Sequence, residues 1–120
     1  MKIRVDPLDV LFSQYIRIRA VERKGGCERC GTPKKYTELQ CAHFMGRGRK
    51  ATRWDEDNAV GLCMGCHVYL DSQPLEKVEF FRGLLGDKLE LLQARARTPV
   101  RYLDKAALKL YFEEKLKRFG

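Results

Sequence analysis

Four cysteines fall into two CxxC pairs, Cys27 with Cys30 and Cys63 with Cys66. Each pair sets two thiolates on one tight turn, and two such pairs make the ligand set of a tetrahedral zinc ion, Zn2+. The 32 residues between Cys30 and Cys63 exceed a simple ribbon spacing, so a folded unit is expected between the knuckles. The alternative is that one or both pairs are redox-active or buried thiols. The fifth cysteine, Cys41, reads as a small buried strand residue.

The chain has two histidines, His43 between the knuckles and His67 directly after the last paired cysteine. If residues 65–72 are helical, neighbouring side chains diverge by about 100°, so Cys66 and His67 cannot both face one ion. His67 and Asp71 stand four apart and share a face turned away from the thiolates. An imidazole and a carboxylate on one face suit a harder divalent ion than a thiolate cage does; they equally suit an ordinary surface pair.

Several elements must position these groups. Asp6-Pro7 is a helix opening, with Asp6 as N-cap and Pro7 in the first turn. Leu8, Leu11, Phe12, Tyr15, Ile16 and Ile18 follow at near-helical spacing, and Gly25-Gly26 ends the helix. CERCGTPKK reads as a knuckle, YTELQCAHF as a strand, MGRGRKATRW as a Gly-rich basic loop and AVGLC as a second strand. CHVYLDSQ reads as a helix stopped before Pro74, and another helix runs from Pro74 to Gly86. Asp87 is the expected cap of DKLELLQARAR, Thr98-Pro99 breaks the chain, and Asp104 opens a last amphipathic helix. The expected fold is α+β and mostly helical: an N-terminal helix (1–26), a zinc-stapled ββα centre (27–72) and a helical extension (73–120), together one domain of 120 residues.

Lys and Arg number 24 against 16 Asp and Glu, a formal charge of +8, which favours a polyanionic partner. The apolar runs are too short to cross a bilayer, so no membrane partner is expected. No export signal is evident at the start, and five cysteines cannot all pair; both point to reduced thiols in a cytoplasmic setting. The loop from Gly46 to Arg53 carries Arg47, Arg49, Lys50 and Arg53 with no acidic residue, a candidate contact for DNA phosphates. Arg95, Arg97, Arg101, Lys115, Lys117 and Arg118 either extend that track or solvate helices. Trp54 is either a stacking residue or core. Apolar faces at Leu84, Leu85, Leu89, Leu92, Leu108, Tyr111 and Phe112 pack on this chain or form a homodimer.

The run CERCG, LQCAHF, DEDNAVGLC and CMGCH resembles the HNH, or ββα-metal, family of nucleases over about residues 27–72. A closer resemblance is to the phage NinG-type (Rap-like) recombination endonucleases, through YIRIRAVERKGGCERCG, the CAHF strand end, RWDEDN and the basic helical tail. The resemblance implies a metal-dependent DNA endonuclease acting on duplex or branched DNA inside a bacterial host, with His43, Asn58 and His67 as its three named residues. It implies His43 as general base, Asn58 as an amide fixing His43 or its loop, and His67, with Asp71 beside it, as ligand of a catalytic Mg2+ or Mn2+. For Asn58 the alternative is a plain turn residue. Many HNH nucleases carry a metal ligand just before the catalytic histidine, where this chain has Ala42; Glu38, Asp55, Glu56 and Asp57 are then further candidate donors, or solvated charges. Two other functions stay open: a non-catalytic zinc-stapled DNA-binding module, and a packaging-associated or site-specific HNH nicking enzyme.

Overall fold

Asp6 opens the first helix by accepting from Leu8 N at 2.8 Å, while Asp9 accepts back from Asp6 N at 2.7 Å. This reciprocal capping box, with Pro7 in the first turn, starts α1 (Pro7–Lys24). Gly25 ends it at φ 74, a left-handed conformation that favours glycine. The computed structural model describes residues 4–100 and 102–119; Arg101 of the second basic group lies outside them.

The first knuckle follows, closed by Gly31 N donating to Cys27 O at 3.0 Å and Cys27 N to Thr32 O at 3.1 Å. The segment expected as one long strand divides. Tyr36–Glu38 form a single 3-10 turn because Glu38 folds back to accept from Lys35 N at 2.9 Å. Only Gln40–His43 continue as β1, which pairs antiparallel with β2 (Ala59–Leu62), His43 opposite Ala59 and Gln40 opposite Leu62. The basic loop joins them and ends in a short 3-10 turn, Glu56–Asn58.

After β2 come α2 (Met64–Ser72), α3 (Pro74–Leu85), α4 (Lys88–Arg97) and α5 (Lys105–Phe119). The fold is thus α+β, with five helices and one two-stranded sheet among the described residues. Asp104 accepts from Ala107 N at the start of α5, whereas Asp87 makes no side-chain cap to α4. Asp87 already has helical dihedrals, and Gly86 O receives Leu89 N instead.

The sheet separates two apolar clusters. Ala42, Val60, Leu62, Cys66, Leu70, Phe81 and Leu89 fill one, towards α2, α3 and α4. Leu8, Phe12, Tyr15, Ile16, Trp54, Ala59 and Phe112 fill the other, where α1 meets α5. Leu89, Leu92 and Phe112 are therefore buried within this chain. Gly61 allows the hairpin to lie close on α1: a Cβ there would stand 2.6 Å from Ala20 Cβ. No described helix is long and apolar enough to cross a membrane.

Candidate functional site

The four paired cysteines converge, with all sulfurs within 4.8 Å of one another. A tetrahedral ion with Zn–S bonds of about 2.3 Å needs sulfurs about 3.8 Å apart. Cys30 and Cys63 stand at 3.8 Å. Cys27 and Cys66 are buried and Cys30 is exposed, so the ion would sit at the rim of the core. Cys63 caps α2 and Cys66 lies in its first turn, where the helix dipole favours thiolates. The hydrogen bond with the Thr32 hydroxyl pulls the Cys30 thiol down, whereas burial pushes Cys66 up. Arg29 Nη1 approaches Cys66 Sγ at 3.4 Å and offsets the negative charge of a four-thiolate centre. Among the described residues no other group of three or more His, Cys, Asp or Glu gathers in this way. The cysteine set fits zinc.

His43 ends β1. Alternation along the strand puts Cys41 and His43 on the face towards α1, and Gln40 and Ala42 on the face towards α2. The imidazole packs on Phe12, with ring centroids 5.7 Å apart. Its Nε2 lies 3.3 Å from the carbonyl of Arg53, which can only accept, so Nε2 carries the proton and Nδ1 keeps a free lone pair. Burial lowers the pKa of His43, and Arg47 and Lys77 add to that effect, so the ring is neutral at pH 7. A cavity lined by Asp9, Ser13, Cys41, His43 and Arg47 opens beside it. Cys41 is half-buried there, and burial raises its thiol to about 12, which leaves it protonated.

Asn58 is fully buried. Its Oδ1 accepts from Met45 N at 2.9 Å, and its Nδ2 donates to Met45 O at 2.9 Å and Thr52 O at 3.0 Å. The side chain thus fastens the basic loop, and no direct hydrogen bond joins it to His43.

His67 and Asp71 meet across one turn of α2, Nε2 to Oδ2 at 3.3 Å. Gln40 Oε1 lies 2.7 Å from His67 Nδ1, so a neutral ring carries its proton on Nδ1 and leaves the Nε2 lone pair free to bind an ion shared with Asp71. Two ligand atoms on one ion at about 2.1 Å lie about 3 Å apart, which this pair approaches. The other oxygen of Asp71 is held by Lys77 Nζ at 2.9 Å. His67 and Asp71 alone therefore offer two ligands, one of them shared with a resident ammonium group. The further acidic candidates are engaged elsewhere: Asp55 and Asp57 bind Arg95, Glu56 accepts from Tyr15 and Tyr111, and Glu38 caps its own turn.

The basic loop divides by exposure. Arg49 and Lys50 are exposed, and Arg47 is part-exposed, 3.5 Å from Asp9. Arg53 differs from the expectation of a free phosphate contact. Its Nε donates to Asp9 Oδ1 at 3.0 Å and its Nη2 to Asp9 Oδ2 and to Arg4 O, because Asp9 is a buried carboxylate that needs a cation. Arg95 braces Asp55 and Asp57, and Trp54 is buried with Nε1 donating to Asp9 Oδ1 at 2.9 Å.

Sequence reasoning missed Gln40, Lys77 and Asp9. Gln40 was findable, since period-2 alternation puts it on the face of Ala42. Lys77 lies across a helix break from Asp71, and the partners of Asp9, Arg53 and Trp54, stand 44 and 45 residues away, so neither left a local signal. Compared with protein-family models, curated proteins and solved structures, the chain has no match.

Proposed function

We propose that this chain is a metal-dependent DNA endonuclease of the HNH, ββα-metal type, with branched DNA in phage recombination or processing as a candidate substrate. The observation that carries the reading is the state of His43: neutral at pH 7, held through Nε2–H, and free at Nδ1 beside a cationic rim. In this reading Nδ1 takes a proton from a water molecule as the water oxygen attacks phosphorus and the P–O3′ bond breaks. Arg47, Arg49 and Lys50 hold phosphates of the backbone, and Asn58 keeps their loop in place. Cys27, Cys30, Cys63 and Cys66 hold zinc and fix the start of α2, which carries His67. A divalent ion of the Mg2+ or Mn2+ kind at His67 and Asp71 would supply charge at the scissile phosphate and the leaving oxygen.

One observation favours a second reading, a zinc-stapled DNA-binding module without cleavage: Asp71 already has the Lys77 ammonium as its cation. Purified zinc-loaded protein with supercoiled and four-way-branched DNA separates the two. Cleavage that needs an added divalent ion and is lost in His43→Ala, with DNA binding retained, is the expected result. Binding without cleavage in Mg2+, Mn2+, Ni2+ or Co2+ refutes the nuclease reading. Because the His43 pKa lies below the ordinary 6.5, the rate should already be level at pH 7.

A further inference from the structure

We propose that Asp9, on the N-terminal helix and 34 residues before His43 in sequence, is the positioning residue that sets the tautomer and direction of that imidazole. The inference deepens the nuclease reading and rests on it for its catalytic consequence.

The argument runs through one peptide group. The carbonyl that receives His43 Nε2 belongs to Arg53, in the peptide that joins Arg53 to Trp54. Side chains on both sides of this peptide end on one oxygen of Asp9: Arg53 Nε at 3.0 Å and Trp54 Nε1 at 2.9 Å reach Oδ1. Arg53 Nη2 and Arg47 Nη1 meet the other oxygen, which also accepts from Asp6 N. The carbonyl is therefore pinned at both of its neighbours by a single carboxylate.

Asp9 is itself rigid. It lies in the first turn of α1 as the return half of the capping box, and only 9% of it is exposed. Burial alone would raise its pKa, but the hydrogen bond from Arg53, with Asp6 N and Trp54 adding to it, holds the carboxyl below its usual range. It is thus a carboxylate at neutral pH. Asp9 also lines the cavity beside His43, together with Ser13, Cys41 and Arg47. The charged groups that act on the imidazole are Arg47, Asp9 and Lys77, of which Asp9 alone both faces it and fixes its hydrogen-bond acceptor.

A histidine with a fixed acceptor at Nε2 presents Nδ1 as base in one direction; a loosened acceptor lets the ring exchange tautomers and tilt. Displacing a reacting group by about 1 Å can cost about 100-fold in rate. The chain has two histidines, so their imidazole nitrogens are separable by 15N NMR in zinc-loaded full-length protein. Wild-type His43 should show the Nε2–H tautomer at pH 7.5. Asp9→Asn should shift it towards a mixture and lower kcat by about 10- to 100-fold with KM little changed. Trp54→Phe removes only one of the two pins and should give a smaller shift in the same direction; if Asp9→Asn fails to fold, this variant decides. An unchanged His43 tautomer in the folded variants overturns the proposal. The NMR readout needs no cleavage, so a wild-type protein that cuts no DNA would sink the nuclease reading and leave Asp9 still tested.

Discussion

Replacing Asn58 by alanine removes three hydrogen bonds at once, and the structure gives each its weight. Two of them pair the amide with both polar groups of Met45 at a half-buried position. They prolong the hairpin, since Phe44 N already donates to Asn58 O at 2.8 Å beyond the last paired residues. The third goes to Thr52 O, where donor and acceptor are both buried. The two Met45 bonds are worth about 0.5–1.5 kcal/mol each, because water can replace part of them, and stranding the Thr52 carbonyl costs about 1–3 kcal/mol. Together these put the cost of Asn58→Ala at about 2–6 kcal/mol. With a urea dependence of about 1.5–2 kcal/mol/M for a chain of this size, the unfolding midpoint should fall by about 1–4 M. The assay is urea unfolding at fixed free zinc, because zinc binding to the folded state adds its own stabilisation. A fall under about 0.5 M, or about 1 kcal/mol, refutes the assignment of Asn58 as the loop's fastening. Asn58→Asp sharpens the test: one carboxylate oxygen would face the carbonyls of Met45 and Thr52 in place of the amide donor. That repulsion raises the folded pKa of the new carboxyl above the unfolded value of about 3.9. Its penalty is therefore smallest at low pH and grows as pH rises through the folded pKa, which comparison with wild type between pH 5 and 8 should reveal.

Further outcomes are expected for the cysteines and for the basic loop. Elemental analysis should find one zinc per chain, and a strong chelator or Cys27→Ser should unfold the centre; a metal-free protein with an unchanged amide spectrum contradicts the staple. Arg49→Ala with Lys50→Ala should reduce the slope of log K against log salt for DNA by about 1.8, since each lost phosphate contact accounts for about 0.9. Arg53→Ala should instead lower stability and leave that slope nearly unchanged, and an equal loss of slope in both would show Arg53 to be a phosphate contact after all.

What the sequence disclosed was local. Asp6-Pro7 and Gly25 bound α1 because capping depends on residues within one turn, and the paired cysteines met because each pair is itself a turn. Misreadings came where a local hydrogen bond competed with a pattern. Glu38 closes a 3-10 turn inside an apparently continuous strand, and Asp87 yields the start of α4 to the Gly86 carbonyl. The charged residues were the hardest to place. Arg53 looks like its exposed neighbours Arg49 and Lys50, and its partner Asp9 lies 44 residues away on another element. Asp55, Glu56 and Asp57 read as candidate metal donors or solvated charges, yet two serve Arg95 on α4 and one accepts from tyrosines of α1 and α5. Such pairings depend on which surfaces meet in three dimensions, and no spacing rule reports that.

The register of a four-residue hairpin then carries much of the proposed chemistry. Because strand side chains alternate, slipping β1 by one residue would turn His43 away from α1 and Asp9, and would turn Gln40 away from His67. Three contacts oppose the slip. Glu28 Oε2 accepts from Gly61 N at 2.8 Å in the middle of β2, fixing that strand to the first knuckle. Gly61 itself is held against Ala20 of α1, where any other residue would collide. Asn58 locks the open end of the pair to Met45. A metal held by the four cysteines would reinforce the first of these, since Glu28 directly follows Cys27 and its neighbour Arg29 reaches Cys66. A metal bound there would thereby constrain, from one side of the sheet, which face His43 occupies on the other. Loss of zinc should for that reason disturb the His43 imidazole as well as the cysteines.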